Sequence, residues 1–382
     1  MEENKFKVID LFSGAGGMSE GFSQAGFNVI AANEILEDVA ETFMLNHKNT
    51  KMIVGDIRGI EPLDFLKNCG IKKEEIDLVI GGPPCQGFSM ANRQRLIDDS
   101  RNNLYKYFVE FVREIQPKIF IMENVKGMIS KSKEIVEDFK KIGYHTDFRI
   151  LNARKFGIPQ NRERIFFIGS NLKSKEEIVK KIFETIDSKK SSKEIPLKDA
   201  LWGLRKLSAL AEKNQTNSEG SESGFFEDKV VTNIDIPEYI LMINKKHTPL
   251  VVYNHKSRFN NKRDIEIFKR LPQGGKSDHP SIKDIMPYGS RSHIFKDKYY
   301  KLKEDSVSKT ITAHMKYDCN MYIHPSQSRG LTPREAARIQ SFPDNYRFVG
   351  AFTRWYMMIG NAVPPLIAKI IGESIKESLK KR

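Results

Sequence analysis

The chain has 382 residues, 39% of them hydrophobic, which suffices for a real core in about two domains at roughly 150 residues each. Lys and Arg (63) outnumber Asp and Glu (49), and the net charge of +14 favours a polyanionic partner, nucleic acid or an acidic membrane surface, although a merely basic soluble protein carries the same charge. Three separated cysteines, Cys69, Cys85 and Cys319, exclude a disulfide framework and a CxxC metal knot, and no apolar run nears the roughly 18 residues of a membrane span. The charged start MEENKFK leads directly into a strand without a signal-peptide core, so a soluble, cytoplasmic protein is expected.

In chain order, Phe6-Lys7-Val8-Ile9-Asp10-Leu11-Phe12 is a β-prone run that stops at Ser13-Gly14-Ala15-Gly16-Gly17. A helical pattern over 18–25 follows, closed by Gly26. A glycine turn between strand and helix lets the backbone approach a ligand, and the helix N-terminus favours a polar or anionic group. The next strand, 28–32, ends at Asn33-Glu34. Glu34 stands roughly 20 residues beyond the glycines, where a ribose-binding acid sits in nucleotide-type βαβ units. The spacing is not GxGxxG, because the third residue after Gly16 is Ser19. Taken alone, this turn leaves NAD, FAD, S-adenosylmethionine and a plain tight turn all open.

The alternation continues with a helix over 36–46, a strand at 52–54 ending in Gly55-Asp56-Ile57, and a helix over 62–69. The apolar run 76–80 then enters Gly81-Gly82-Pro83-Pro84-Cys85-Gln86-Gly87-Phe88-Ser89. Two prolines stiffen this turn, so Cys85 is either a nucleophile at a strand end or a small buried hydrophobe. A polar stretch, 91–103, precedes a helix over 104–115 and a strand over 118–122 that ends in Glu123-Asn124-Val125. A helix near 131–142 stops at Gly143, and strands at 148–151 and 165–168 flank 152–164. Repeated βα units predict an α/β fold with a doubly wound, mostly parallel sheet and ligands along its carboxyl edge.

The pattern changes after Gly169. An exposed helix is predicted over 175–186, a mobile loop over 212–224, and an irregular, loop-rich stretch with many Arg, Lys and His over 230–323. A helix over 333–340, a turn over 359–365 and an amphipathic helix over 366–379 close the chain. The eight histidines show no ligand-like spacing, so no metal is expected.

Six segments, in order, resemble the C5-cytosine-specific DNA methyltransferase family: Asp10-Leu11-Phe12-Ser13-Gly14-Ala15-Gly16-Gly17, Gly82-Pro83-Pro84-Cys85-Gln86, Glu123-Asn124-Val125, Gln160-Asn161-Arg162-Glu163-Arg164, RGLTPREAARIQSFPD at 329–344, and Gly360-Asn361-Ala362-Val363. They span nearly the whole chain except about 171–326. Met358 departs from the Gln that many members carry there, and the CFT-type signature of the tRNA-directed branch is absent.

The resemblance implies an S-adenosylmethionine-dependent methyltransferase fold. It implies a catalytic and cofactor-binding domain at 1–190 plus 349–382, and an irregular target-recognition domain at 191–348. It assigns Cys85 as the nucleophile that adds to C6 of cytosine, Glu123 as the acid near N3, Arg164 as the contact to O2, and Arg162 as support for the active-site loop or a phosphate. Placed alternately on a strand, the two arginines are expected to share a face. For the cofactor it implies Phe12 against the adenosyl or sulfonium region, the backbone of Gly14, Ala15, Gly16 and Gly17 along the methionine, Glu34 at the ribose, and Asp56 with Ile57 at the adenine. Pro84, Leu104, Asn361 and Ala362 complete that pocket, although Leu104 also reads as core and Asp56 as a helix cap. A base inside a duplex is out of a thiol's reach, so the cytosine is expected to be flipped out, under a loop containing Asn92, Arg93, Gln94, Arg95 and Arg101. Basic residues within 245–300 are expected to hold phosphates. The implied partners are double-stranded DNA and, functionally, a cognate restriction endonuclease, with a monomer expected. The rivals are an RNA C5-methyltransferase, a catalytically silent DNA-binding relative and, from the glycine turn alone, a nicotinamide-dependent oxidoreductase.

Overall fold

The fold is that of a computed structural model. The structure describes residues 6–84, 104–210, 212, 213, 215, 217–231, 235–287 and 298–380. Cys85, the proposed loop 89–103 and part of the basic stretch (288–297) lie outside the described residues.

The elements in order are β1 (Lys7–Leu11), α1 (Gly17–Gln24), β2 (Asn28–Glu34), α2 (Glu37–Asn46), β3 (Lys51–Val54), α3 (Pro62–Cys69), β4 (Leu78–Gly81), α4 (Leu104–Ile115), β5 (Ile119–Val125), α5 (Ser132–Lys141), β6 (His145–Asn152), β7 (Glu163–Ser170) and α6 (Lys175–Ser188). They continue with α7 (Leu197–Leu201), β8 (Gly224–Lys229), α8 (Glu238–Ile243), β9 (Val251–Lys256), α9 (Lys262–Arg270), α10 (Pro333–Ile339), α11 (Phe352–Asn361) and α12 (Pro365–Lys380). They fall into two compact units. One comprises Met1–Phe156, Glu163–Ser191 and Ala362–Arg382; the other Gly157–Arg162 and Ser192–Asn361.

The first unit is built on a seven-stranded sheet of order β3-β2-β1-β4-β5-β7-β6. β1 to β5 pair in parallel, and β7 runs antiparallel to both β5 and β6. The central strands are apolar and buried on both faces, as helices on either side of a parallel sheet require. Strand order reverses between β1 and β4, so the loops leaving these two strands flank the switch point where ligands bind in such sheets. α6 is not the exposed helix its Lys and Glu content suggests: Ile178, Val179, Ile182, Phe183 and Ile186 are buried, and the helix packs on β6, β7 and α12.

The second unit pairs β8 with β9 in an antiparallel ribbon. Its buried side chains include three arginines, each hydrogen-bonded inside the unit. Arg329 forms a double hydrogen bond to Glu335 (2.7 and 2.8 Å), Arg338 does so to Asp344 (2.7 and 3.0 Å), and Arg334 donates to the carbonyls of Tyr253 and Pro343. Thr332 and Glu335 form a capping box at the start of α10. The second unit ends at Asn361, and in it α11 packs on α10 and on the segment Ala313–Lys316. At Gly360 a Cβ would collide with the backbone of Thr312 and Ala313.

Candidate active site

β1 delivers the chain into a strained turn. Phe12 has φ 55°, a left-handed conformation unusual for a non-glycine, and Gly14 (55°) and Gly16 (87°) complete the reversal into α1. The amide of Ser13 donates to Asn33 O at 2.9 Å, tying the turn to the end of β2. Glu34 then grips it: Oε2 accepts from the Gly14 amide and Oε1 from the Leu36 amide, each at 2.9 Å. Burial raises the Glu34 pKa, against the pull of these amides. Behind the turn, the Ser19 hydroxyl donates to Asp10 at 2.6 Å, and burial pushes the Asp10 carboxyl up to about 7. A Cβ on Gly14 would meet nothing within 4 Å, so the turn borders open space. The buried Ser13 hydroxyl has no hydrogen-bond partner among the described residues. An open border and an orphaned donor fit a polar ligand lying along this backbone.

On the other side of β1 from β2, β4 ends at Gly81 and β5 runs parallel beside it. Glu123 lies against the turn after β4: a Cβ on Gly82 would stand 3.2 Å from Glu123 Oε2. Asn124 Nδ2 donates to Pro83 O at 2.8 Å while its Oδ1 accepts from the Val125 amide at 2.8 Å. From β7, Arg164 Nε approaches Glu123 Oε1 at 3.1 Å, and Nη1 donates to Glu163 O at 2.8 Å. Both side chains are largely buried, at 17% and 10% exposed. Burial lowers the Arg164 pKa, and the Glu123 charge opposes that. A carboxylate–guanidinium pair thus stands beside the Gly-Gly-Pro-Pro turn, whose next residue is Cys85.

A family model described as "C-5 cytosine-specific DNA methylase" matches residues 6–377. The chain belongs to that family. The type II methyltransferase M.AgeI of Thalassovita gelatinovora is 31% identical over 98% of this chain and 100% of its own. M.DdeI of Desulfomicrobium norvegicum is 35% identical over 96% and 88%. A crystal structure assigned to a DNA modification methyltransferase encoded within an E. coli prophage superposes with a TM-score of 0.73 at 26% identity, covering 98% of this chain and 100% of that one.

In this cytosine methylase, the residues expected around the cofactor divide. Phe12 is half-buried against the core, Ala15 and Gly17 are buried in the turn and first helical position, and Glu34 meets Gly14 directly. Gly55 N donates to Glu34 O at 2.9 Å and brings the end of β3 alongside. There Asp56 caps the short 3-10 helix Ile57–Gly59 and pairs with Arg58, whose hydrogen bond is the main cause of its lowered pKa. The Ile57 side chain belongs to the core. Leu104 opens α4, half-buried against that core, and Pro84 is exposed. Asn361 falls in the second unit and Ala362 in the first.

Arg162 needs correction. It precedes β7 instead of sharing a strand face with Arg164, and its guanidinium is buried in the second unit, donating to Ile311 O at 2.8 Å and Gly360 O at 3.2 Å. Gln160 accepts from Ile311 N at 2.7 Å, so the two side chains grip both backbone groups of one residue. Two residues that the sequence reading quotes within motifs but gives no role make structural contacts here, Asn124 and Gln160. The Glu-Asn-Val signature itself carried the signal for Asn124, since a buried amide must bond to something.

Proposed function

We propose that this protein is a sequence-specific DNA (cytosine-5)-methyltransferase of a restriction-modification system, with S-adenosylmethionine as methyl donor. The observation that carries the reading is the Glu123–Arg164 pair beside the turn that leads into Cys85. The type II names of the relatives support double-stranded DNA as substrate and a cognate endonuclease as functional counterpart. The second unit is then the target-recognition domain, and the protein acts on DNA in the cytoplasm.

The Cys85 thiolate adds to C6 of a flipped cytosine, and Glu123 shares a proton with N3 as charge develops there. Arg164 faces O2 and keeps the Glu123 carboxylate oriented; Arg162 is a positioning residue. Phe12, Ser13 and Gly14 would hold S-adenosylmethionine, with free lone pairs of Glu34 for its ribose hydroxyls, and the cofactor would supply an electrophilic methyl group. C5 of the activated ring would take the methyl, with S-adenosylhomocysteine as the leaving group; a water molecule then takes the C5 proton as the C6–S bond breaks, releasing the Cys85 thiolate and restoring the aromatic ring.

Incubation with labelled cofactor and duplex DNA should label the duplex in preference to tRNA, and Glu123→Gln should slow transfer by about 100-fold or more. A 5-fluorocytosine duplex should trap an adduct that maps to Cys85. Preferential labelling of tRNA, or no adduct on a mixed-sequence duplex library, refutes the proposal.

A further inference from the structure

The backbone of the segment Ala313–Lys316 and of the residue after it is held by side-chain and turn hydrogen bonds. Arg258, just beyond β9, donates Nη1 to Met315 O and Nη2 to Tyr317 O, each at 2.8 Å. Met315 and Cys319 are fully buried. Turn bonds join Met315 N to Thr312 O (3.2 Å) and Tyr317 N to His314 O (2.9 Å). Upstream, Gln160 and Arg162 grip Ile311.

What this frame presents outward is an aromatic ring between two basic side chains. Tyr317 is 65% exposed, the Lys316 ammonium lies 4.7 Å from its ring centroid, and the His314 ring 5.3 Å away. Asp318, the adjacent carboxylate, is engaged by Lys298 at 3.5 Å. A lone exposed tyrosine needs no explanation. A clamped backbone is different, because the ordering cost of the surface is met before any partner arrives.

We propose that His314, Lys316 and Tyr317 form a contact for the sugar-phosphate backbone of duplex DNA. Lys316 meets a phosphate, the Tyr317 hydroxyl donates to a phosphate oxygen, and the ring lies against deoxyribose. The proposal rests on the DNA-methyltransferase reading above, and the net charge of +14 complements that partner. Such a contact fixes register and carries no sequence information itself.

The test is anisotropy binding of the full chain to a mixed-sequence duplex across a KCl series. Lys316→Gln should weaken binding about fivefold at roughly 0.15 M salt and make the log–log salt slope shallower by about 1. Lys316→Arg should restore both. Tyr317→Ala should bind more weakly than Tyr317→Phe, and both more weakly than wild type. Lys140→Gln, at an exposed position on α5, should change binding less than Lys316→Gln. Wild type that binds while Lys316→Gln and Tyr317→Ala bind equally well overturns this contact alone. Wild type that binds no duplex overturns the methyltransferase reading together with it.

Discussion

Replacing Asn124 by alanine separates the turn's geometry from its chemistry. The side chain is buried and makes two hydrogen bonds of 2.8 Å, to Pro83 O and from the Val125 amide. Alanine leaves the carbonyl and the amide without that partner, and each buried group so stranded costs about 1–3 kcal/mol. Val125 is half-buried and its amide can recruit water, so a total of about 2–4 kcal/mol is expected, or roughly 4–16 °C in Tm. The kinetic effect should be larger than this loss implies. Pro83 is two residues from Cys85, the proposed nucleophile, and a reacting group displaced by about 1 Å loses on the order of a hundredfold in rate. Single-turnover transfer of labelled methyl, measured well below either melting midpoint, should therefore slow about 100-fold with cofactor affinity unchanged. A variant that melts earlier but transfers methyl at the wild-type rate refutes the idea that this amide positions the turn.

Gly360→Ala should destabilise the second unit by about 3 kcal/mol, since the new methyl meets the backbone of Thr312 and Ala313, which cannot yield as a side-chain tip could; an unchanged urea midpoint refutes this. Acid should weaken the same unit early. Burial lowers His255 to about 4 and His324 to about 3, below the ordinary 6.5. Their stabilisation is therefore complete above pH 6.5 and is lost as pH falls toward 4 and 3, by on the order of 3 kcal/mol for each. Asp10, raised to about 7 from an ordinary 3.8, acts in the opposite sense in the first unit: its contribution is complete below 3.8 and lost as pH rises through 7. Stability against pH in an Asp10→Asn background should then fall more steeply on acidification than in wild type; a flat profile of the variant between pH 7 and 4.5 refutes the histidine assignments, and a slope equal to wild type refutes that of Asp10.

The first half of the chain was legible because its local signals agree. β1, the glycine turn and α1, and the successive strand ends at Glu34, Gly81 and Glu123, all lie where apolar runs stop at glycine or polar residues. The second half was not, for identifiable reasons. The short helices α7 and α8 carry too few turns to show a period. In α11 the pair Gly360-Asn361 and the prolines beyond it read as a turn, although the helix runs through both residues. In α6, Lys and Glu on the outer face conceal a regular apolar stripe. Arg162 and Arg164 read as one motif, yet a strand start at Glu163 sends them to different partners, and no period-2 pattern encodes where a strand begins.

The hexapeptide Gly157–Arg162 bears on how such enzymes can be recombined. The chain leaves the sheet-bearing unit at 156, returns at 163, leaves again at 191 and returns at 361/362, so its second body is assembled from two separate pieces. Gln160 and Arg162 ride on the short piece, while Ile311, Gln340 and Gly360, which they hold, ride on the long one. A chimera that imports only the long piece inherits the sockets without their plugs. The transplanted long piece should therefore fold only in hosts that supply the same Gln and Arg two residues apart, or when the six residues travel with it.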